Sequence, residues 1–492
     1  MKKWVIVVLA IALAIVVLAG VIAVRTLTYT SRQVTVAQKV SYPVDMDQAL
    51  GRFKEGLQIP TVSNVAPIDR SQFVKFREFL EKSFPAVHST LERQINNEYN
   101  LIYIWKGSDP QKKPILLTGH YDVFRATDEG WKYPPFSATV ADGYIWSRGT
   151  IDDRASVTSI MEALEYLAKS GFKPERTIYI ALGQDEEGGG RQGAQKIADS
   201  FKSAGLQLEC IMDEGLVTTQ GVFPGLPPSQ WFDLVGTSEK GFLNLKLTAE
   251  AEGGHSSMPP KLTSVGMLAV AIEKLENNPF PARWVAATSD MLDYLGPETG
   301  FPLKMVFANM WLFSPIVQGQ LTANPKTDAV IRTTTAPTVF QAGDQPASMP
   351  GTATAVVNFR LLPGDTMKSA TERVKAVIND PHIKIEPVTD GEGVWDGPAD
   401  SNSKSWSYQT LSKTVREVMP DVLVTPCLVT GATDVRYYIN AGLSPNVFRT
   451  LPARIPITDV TLPHGINERI SVSAYGEMIN YYIQLMHNFC GN

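Results

Sequence analysis

The sequence predicts an α/β fold: a mostly parallel mixed sheet flanked by helices, with an inserted α+β domain and a preceding N-terminal transmembrane helix. Strand-like and helix-like patterns alternate over residues 50–236, as they do in a sheet covered by helices on both faces. A different rhythm begins near Thr237, where strand patterns favour a half-exposed antiparallel sheet. The first residues form an uncharged apolar run. The chain is therefore predicted to have more than one folded unit.

These patterns divide the chain into an anchor or signal segment at 1–25, a stalk at 26–45, a large domain at 46–236 and 391–492, and an insert at 237–390. In the large domain, the predicted strands are Asn100–Trp105, Pro114–Thr118, Thr177–Leu182 and Glu209–Met212, and the predicted helices are Ser156–Lys169 and Gln192–Phe201. In the insert, the predicted strands are Gly241–Ala249, Thr354–Leu361 and Ile383–Val388, and the predicted helices are Ser264–Glu276 and Met367–Ile378. The stretch from Asp390 to Ser403 is predicted as the loop back to the large domain.

Charge and cysteine content exclude some classes of protein. The net charge is −5 and no run of lysine and arginine forms a basic stripe, so nucleic acid is not an expected partner. The three cysteines lie far apart and form neither a disulfide framework nor a CxxC metal site.

The N-terminus is predicted to place the rest of the chain outside the cytoplasm. Lys2 and Lys3 precede the apolar run Trp4–Val24, which is long enough for a helix that spans a bilayer. The positive-inside rule keeps the two lysines in the cytoplasm and exports the chain beyond residue 25. Residues 21–23 also allow a signal-peptidase site, and in that case the protein would be secreted. In either case, the N-terminal helix is the only membrane contact that we expect.

Four acidic or histidine-bearing clusters each follow an apolar strand. They are Gly119-His120-Tyr121-Asp122, Asp152-Asp153, Asp185-Glu186-Glu187 and Asp213-Glu214. Residues just after the strands of an open α/β sheet converge on one crevice. Carboxylates packed that closely repel each other, and divalent cations would hold them together. Imidazoles among the carboxylates make the set typical of zinc.

Spacing within the motifs supports a metal centre. His120 and Asp122 lie two apart on an extended segment, so both side chains point to one side, and Asp122 can accept the second ring N–H of the histidine. Glu186 and Glu187 are adjacent and point in different directions. One can hold metal while the other accepts a proton from the water that zinc makes acidic. Each motif alone is weak evidence, but the ordered set is strong.

Together these motifs resemble the di-zinc aminoacylase and carboxypeptidase family. Its members include glutamate carboxypeptidase, aminoacylase, carboxypeptidase S and succinyl-diaminopimelate desuccinylase, and the resemblance runs from about residue 45 to the C-terminus. The segments Gly193–Ile197 and Gly253–Ser257 look most like the branch of carboxypeptidase S and the N-fatty-acyl-amino-acid hydrolases. The resemblance implies a zinc-binding catalytic large domain and an insert that acts as a lid and dimerisation domain.

The resemblance also implies roles for individual residues. Two Zn²⁺ ions, for which Co²⁺ or Mn²⁺ can substitute, would share Asp152. His120 and Asp213 would complete one site, and Glu187 and His464 the other. Glu186 would be the general base and then the proton donor to the leaving amine, and Asp122, the partner of His120, would be a second catalytic residue. A cis peptide between residues 152 and 153 is implied as well.

Five further residues look like the family's substrate-side groups. His255 would reach a partner's active site and stabilise an oxyanion, although a loop histidine that caps a turn is the alternative. Asn324 and Arg360 look like a substrate-binding pair. Arginine suits a carboxylate, but it could equally pair with a surface acid. Gly431 and Asp434 belong to a pocket loop that in relatives reads Gly-Gly-Thr-Asp. Ala432 departs from that pattern.

The resulting prediction is a metallohydrolase that cleaves an amide bond next to a free carboxylate, acting on a small peptide or an N-acyl amino acid. A deacylase of acylated metabolites is the first alternative. A surface-held binding protein on a catalytically dead fold is the second, and the intact ligand set argues against it. Because relatives pair through the insert, we expect a homodimer.

Overall fold

The structure is a computed structural model that describes residues 3–388 and 394–491. Lys2, and Asp390 at the start of the predicted return loop, lie outside the described residues. The strands are β1 Glu92–Asn96, β2 Asn100–Trp105, β3 Ile115–His120, β4 Thr139–Ala141, β5 Tyr144–Trp146, β6 Ile178–Gly183, β7 Cys210–Gln220, β8 Trp231–Glu239, β9 Gly241–Glu250, β10 Gly254–His255, β11 Thr334–Ala342, β12 Ser348–Met349, β13 Thr352–Leu361, β14 Ile383–Pro387, β15 Leu423–Val429, β16 Val447–Arg454 and β17 Arg469–Ser471.

The helices cover most of the remaining chain. They are α1 Lys3–Thr28, α2 Met46–Leu57, α3 Arg70–Ser83, α4 Pro85–Thr90, α5 Arg154–Lys169, α6 Ala194–Ser203, α7 Ser264–Asn277, α8 Ala286–Leu295, α9 Leu303–Ala308, α10 Met310–Thr322, α11 Pro325–Asp328, α12 Met367–Ile378, α13 Trp406–Val418, α14 Val435–Asn440 and α15 Val472–Cys490.

An eight-stranded mixed sheet forms the centre of the large domain, in the order β1-β2-β6-β3-β7-β16-β8-β15. The central strands β6, β3, β7 and β16 are parallel to one another. β2 and β3 are buried along their whole length, as expected of strands covered on both faces. One face packs on a core that includes α5 and α15, and the other packs on α6 and α14. The predicted α/β class with a mixed sheet is confirmed.

A four-stranded antiparallel sheet lies within residues 237–390, in the order β11-β13-β9-β14. Along β13, buried and half-buried residues alternate, because one face packs against α7 and α12 while the other is more open. The helices α8–α11 were not predicted. α8 packs against β8 and β15 of the large sheet through residues such as Leu292 and Leu295.

The N-terminal helix α1 is long and apolar enough to cross a membrane, and it is exposed along its length. Its C-terminal end is docked on the body of the protein. Arg25 donates to the carbonyl of Ala308 (3.1 Å), and Asn309 donates to the carbonyl of Ile22 (3.4 Å). Just after the helix, Tyr29 donates to the carbonyl of Leu292 (2.7 Å). The start of the predicted stalk therefore packs on helices that lie between β10 and β11 in the chain.

Candidate metal centre

Three neighbouring parallel strands bring the acidic clusters to one edge of the large sheet. β3 ends at His120, β6 ends just before the turn that carries Glu186 and Glu187, and β7 carries Glu214. The strands lie in the order β6-β3-β7, so their carboxyl ends are adjacent. The short segment before α5 adds Asp152 to the same crevice.

Two groups of potential metal ligands share one carboxylate. In the first, Nε2 of His120 lies 2.9 Å from Oδ1 of Asp152 and 3.7 Å from Oε1 of Glu214. In the second, Nε2 of His464 lies 3.1 Å from Oδ2 of Asp152 and 2.9 Å from Oε2 of Glu187. Within each group the ligand atoms lie within 4.8 Å of one another. Asp152 turns one oxygen to each group, as a bridging ligand must.

The first group differs from the sequence prediction at one position, because Glu214 and not Asp213 lies beside His120 and Asp152. The register of β7 against β16 shifts here and leaves Glu214 and Gly215 without partners on β16, as in a β-bulge. Asp213 is buried and is paired with Arg449 in the register of β7 and β16. The structure thus brings Glu214 into the first group, and the ligand role of Asp213 stays a prediction.

Three acids of this centre resist ionisation, whereas Asp152 does not: burial opposes its charged form, but hydrogen bonds to His120 and His464 outweigh burial and lower its pKa. Burial, together with the neighbouring carboxylate of Asp152, raises the pKa of Glu187 to about 7. Burial raises the pKa of Glu186 and of Glu214 well above the usual range, and nearby carboxylates add to the effect. Like charges held in a dry crevice cannot all ionise without a compensating cation.

The histidines show the same shortage of positive charge. Hydrogen bonds to Asp152 and Glu187 raise the pKa of His464 to about 10. Burial opposes the charged form of His120, but hydrogen bonds to Asp122 and Asp152 outweigh it and raise its pKa well above 6.5. Protonated imidazoles thus balance part of the negative charge of the carboxylates, which divalent cations could balance instead. The donor set of imidazole and carboxylate fits two such ions.

Asp122 contacts His120 and the turn Glu186–Gly188, which is called the catalytic turn below because it carries the predicted general base Glu186. Nδ1 of His120 lies 3.3 Å from Oδ1 of Asp122 and 3.2 Å from the backbone carbonyl oxygen of Asp122. The same carboxylate accepts the backbone N–H groups of Glu186 (3.1 Å) and Glu187 (3.0 Å), and the hydroxyl of Ser63. Asp122 therefore contacts the ring of His120 and holds the backbone of Glu186 and Glu187.

A second buried acid, Glu468, fixes the loop that carries the bridging residue. It accepts from Nη1 of Arg148 (2.6 Å) and from the backbone N–H groups of Gly149 (3.0 Å), Ile151 (2.7 Å) and Asp152 (3.2 Å). Sequence reasoning missed it because it lies more than 300 residues further along the chain. No motif links the two segments.

The paired aspartates also shape the end of β3. The peptide between Asp152 and Asp153 is cis, as the resemblance implied. Oδ2 of Asp153 accepts the backbone N–H of His120 (3.2 Å), and a Cβ built on Gly119 would stand 2.6 Å from that oxygen. Only glycine therefore fits before His120.

His464 has an aromatic support that sequence reasoning also missed. Its ring stacks on that of Phe124, with centroids 4.3 Å apart and planes 13° from parallel. The side chain is 48% exposed. Stacking on Phe124 thus holds the exposed ring of His464 toward Asp152 and Glu187.

Two predicted substrate-side residues lie on the surface. His255 is exposed on the short ribbon of β10 and β12, where its Nδ1 contacts the hydroxyl of Ser257 (2.8 Å). Asn324 is exposed, and its side chain caps α11 by accepting from the backbone of Lys326 (2.9 Å). Both contacts are local, so the predicted substrate roles of His255 and Asn324 stay predictions.

Arg360 is half-buried on β13, with its guanidinium over the ring of Phe242 (4.5 Å). Phe242 in turn stacks on Trp395, with centroids 4.9 Å apart. Gly431 lies exposed in the turn after β15, and Ala432 is not among the described residues with a positive φ. The departure from the family pattern at position 432 therefore meets no backbone restriction.

Asp434 is buried behind the catalytic turn. Burial raises its pKa to about 8, and Asp213 and Asp185 add to the effect while Arg436 opposes it. A Cβ built on Gly183, at the end of β6, would stand 3.3 Å from its Oδ2. Asp434 thus supports the turn from behind.

The sequence of the chain matches the model of a known protein family. Peptidase family M20/M25/M40 matches residues 116–488. The chain belongs to this family. The predicted metallohydrolase, and its place near carboxypeptidase S and the N-fatty-acyl-amino-acid hydrolases, are confirmed by this match and by similarity to individual relatives.

Two relatives cover most of this M20/M25/M40 chain. Probable carboxypeptidase S-like 2 of Dictyostelium discoideum is 41% identical over 420 residues, which is 85% of this chain and 79% of that protein. N-fatty-acyl-amino acid synthase/hydrolase PM20D1 of Xenopus tropicalis is 39% identical over 445 residues, which is 90% of this chain and 86% of that protein.

The fold is similar to that of a solved member of the family, the M20 metallo-carboxypeptidase Sso-CP2 of Sulfolobus solfataricus. The TM-score is 0.65 at 17% identity, over 90% of this chain and 99% of that one. At this identity the likeness concerns the fold alone.

Proposed function

We propose that this protein uses two divalent cations, zinc in the first instance, to hydrolyse the amide bond of N-acyl amino acids. The observation that carries the proposal is the position of Asp152 between two ligand groups, with Glu186 on the turn beside them. His120 and Glu214 would complete one ion site, and Glu187 and His464 the other. When bound, such ions polarise the amide carbonyl and make water acidic.

The residues of this chain then supply the proton transfer. Glu186 takes a proton from the attacking water and gives it to the nitrogen of the leaving amino acid. Asp122 holds Glu186 in place through the backbone N–H, so the base is positioned without using its own carboxylate. Burial favours this role, because a carboxylate shielded from water takes up a proton more readily.

The substrate proposal rests on two kinds of support. A relative with 39% identity bears the name N-fatty-acyl-amino acid synthase/hydrolase. A cavity of 320 Å³ begins at Asp152 and Glu214, and most of its other lining residues are apolar, which suits an acyl chain better than a peptide.

The amino-acid side of the substrate needs polar groups. We assign its free carboxylate to Arg360 and Asn324, with Gly431 and Asp434 near the pocket. His255 would come from a second copy of the chain in a dimer. Arginine offers a planar pair of donors that matches a carboxylate.

We also place the enzyme at a membrane, with α1 as an anchor and the catalytic domain on the exported side. α1 has the length and the composition of a membrane span. The bonds from Arg25 to Ala308 and from Asn309 to Ile22 support an anchor that is retained, because they hold the end of α1 against the junction of α9 and α10.

The test is a substrate panel assayed with purified, metal-analysed protein. N-acyl amino acids, dipeptides and acylated metabolites without a free carboxylate are compared before and after chelation and zinc repletion, with Glu186→Gln as the inactive control. We expect the N-acyl amino acids to be cleaved fastest, with activity lost on chelation and restored by zinc or cobalt. Preference for substrates that lack the carboxylate would favour the deacylase alternative, and metal-loaded protein without turnover would favour the binding protein.

A further inference from the structure

The apolar cavity at the metal centre adjoins a second, larger one. The first cavity, of 320 Å³, has Asp152 and Glu214 in its lining. The second, of 610 Å³, shares Leu216, Val222 and Leu234 with the first, so the two adjoin. Each cavity by itself falls within the roughly 300–1,000 Å³ that small-molecule pockets occupy. The first of these adjoining cavities begins at the predicted reacting centre.

The second cavity has the chemistry of a hydrocarbon site. Most of its lining residues are aliphatic or aromatic, and Lys326 is the one charged residue among the described residues that line it. α8 contributes Met291 and Leu295, and α10 contributes Ile316 and Val317. A peptide in this space would leave its backbone N–H and carbonyl groups unpaired, which is costly. An unbranched acyl chain has no such groups.

α10 forms the outer wall of this cavity and has the composition of a membrane-binding surface. α10 has no charged residue, and none of its residues is buried. Trp311 and Ile316 are 53% and 62% exposed, and Ile316 also lines the cavity, so the space reaches the surface there. Exposed apolar side chains in such a cluster mark a binding surface.

The anchor helix meets the body beside this wall. Arg25, near the end of α1, bonds to Ala308, two residues before α10 begins, and Asn309 bonds to Ile22. Arg32, just beyond α1, pairs with Asp293 of α8 (2.8 Å). A helix that spans the bilayer and is fixed in this way brings α10 to the membrane surface, where tryptophan and apolar residues are favoured.

We propose that the two cavities are a single acyl channel that runs from the metal centre to α10, and that α10 lies in the membrane interface so that a substrate dissolved in the bilayer enters there. The inference rests on the proposed function, since it specifies where the acyl chain of the N-acyl amino acid lies. It adds a long-chain preference, a route and residues that control both.

The channel is tested by acyl-chain length. Full-length protein in detergent is assayed with acetyl, octanoyl and palmitoyl derivatives of one amino acid. We expect kcat/KM to rise by about fourfold per methylene until the channel is filled, which corresponds to about 0.8 kcal/mol per buried CH₂. A flat profile with good cleavage of the acetyl substrate would overturn the channel and leave the proposed function standing. Cleavage of no N-acyl amino acid would overturn both.

A blocked channel gives the residue-level test. Val222 lines both cavities and is 38% exposed; Ile95 on β1 is 47% exposed and is the matched control. Val222→Trp is expected to lower kcat/KM for the palmitoyl substrate at least about tenfold, with less than about a twofold effect on the acetyl substrate. Ile95→Trp should change neither. If the acetyl rate falls with the tryptophan, Val222→Phe and Ile95→Phe replace the pair. Equal losses for both substrates in the phenylalanine variant would refute the channel.

Vesicles distinguish entry from the bilayer from entry from solution. Leu312 on α10 is 38% exposed, and Val140 on β4 is its match at 41%. Leu312→Glu is expected to slow cleavage of palmitoyl substrate in phosphatidylcholine vesicles several-fold, because a charge in the interface is unfavourable. Cleavage of dissolved octanoyl substrate should be unchanged, and Val140→Glu should affect neither. An unchanged rate in vesicles, or equal slowing of both substrates, would contradict entry of the substrate from the bilayer through α10.

Discussion

Gly190 lies directly against Asp434: a Cβ built on Gly190 would stand 2.0 Å from Oδ1 of that residue. Next to it, the carbonyl of Gly189 accepts from Arg436 (2.8 Å) and from the hydroxyl of Tyr437. Both glycines have a positive φ. The glycine run after Glu187, which the sequence alone leaves unexplained, is therefore the place where the catalytic turn packs on α14.

Gly190→Ala should impair both stability and activity, and Gly205→Ala separates the two causes. Gly190 has φ +71°, and Gly205 has φ +69° with open space around it. The free energy of unfolding of the Gly205 variant should fall by about 1–2 kcal/mol, which is the cost of placing alanine in the left-handed region. The Gly190 variant should lose more and should also turn over more slowly, because Asp434 would push on the turn. Thermal unfolding and kcat are measured for both, and equal losses would show that the contact with Asp434 is unimportant.

Asp122→Asn should weaken metal binding and catalysis together. The amide would direct an NH₂ group at one of the backbone N–H donors of Glu186 and Glu187, which now reach a carboxylate at 3.1 and 3.0 Å. Loss of such a supporting acid costs roughly 10–100-fold in metal affinity or activity. Chelator competition gives the affinity and initial rates give kcat. Asp128→Asn, at an exposed position, is the control.

Glu214→Gln and Asp213→Asn decide which acid of β7 binds metal. Glu214 faces His120 and Asp152, and Asp213 is in register with Arg449. We expect the Glu214 variant to lose one of two bound ions and nearly all activity. The Asp213 variant should keep both ions and lose activity only in part. Metal content is measured by mass spectrometry, and the reverse pattern would restore Asp213 as the ligand.

How far the sequence predicts this structure depends on the source of each signal. α12 and β2 are predicted with the bounds that the structure has, Met367–Ile378 and Asn100–Trp105, because their apolar residues follow the period of a helix or fill a buried strand. α10 is not predicted. Its apolar residues surround the helix, Pro315 lies inside it and none of its residues is buried, so no single apolar stripe marks it as a helix.

The same distinction applies to the metal centre. Each acidic cluster is visible because it follows a strand, but which of Asp213 and Glu214 lies beside His120 depends on the local path of β7, whose register against β16 shifts at this point. That is set by pairing with β3 and β16. Glu468 and Phe124 carry no motif, and only the folded chain brings them to Asp152 and His464.

Glu468→Ala should destabilise the fold and weaken the metal centre, and a second substitution separates the two effects. Arg148 and Glu468 form a buried ion pair (2.6 Å), and removing one partner of such a pair costs about 3–5 kcal/mol. In the double variant Glu468→Ala/Arg148→Met, much of the stability should return because no charge is left unpaired. Metal affinity should stay low, since Ile151 and Asp152 still lack their acceptor. Recovery of both properties would contradict a role in positioning Asp152.

Asp233→Asn should make the protein less sensitive to pH, without touching the metal centre. Asp233 is buried between β7 and β16, where it accepts from Thr218 (2.7 Å) and Thr450 (3.1 Å), and burial raises its pKa from 3.8 to about 6. Because the folded-state pKa lies above the unfolded value, its contribution to stability is complete below pH 4 and is lost as the pH rises to about 6. An asparagine keeps an oxygen acceptor and never ionises. Relative to the unsubstituted protein, the variant should therefore gain about 2 kcal/mol of unfolding free energy between pH 4 and pH 7. Denaturant unfolding at both pH values measures this difference, and a gap that stays constant would mean that Asp233 is already ionised in the folded protein.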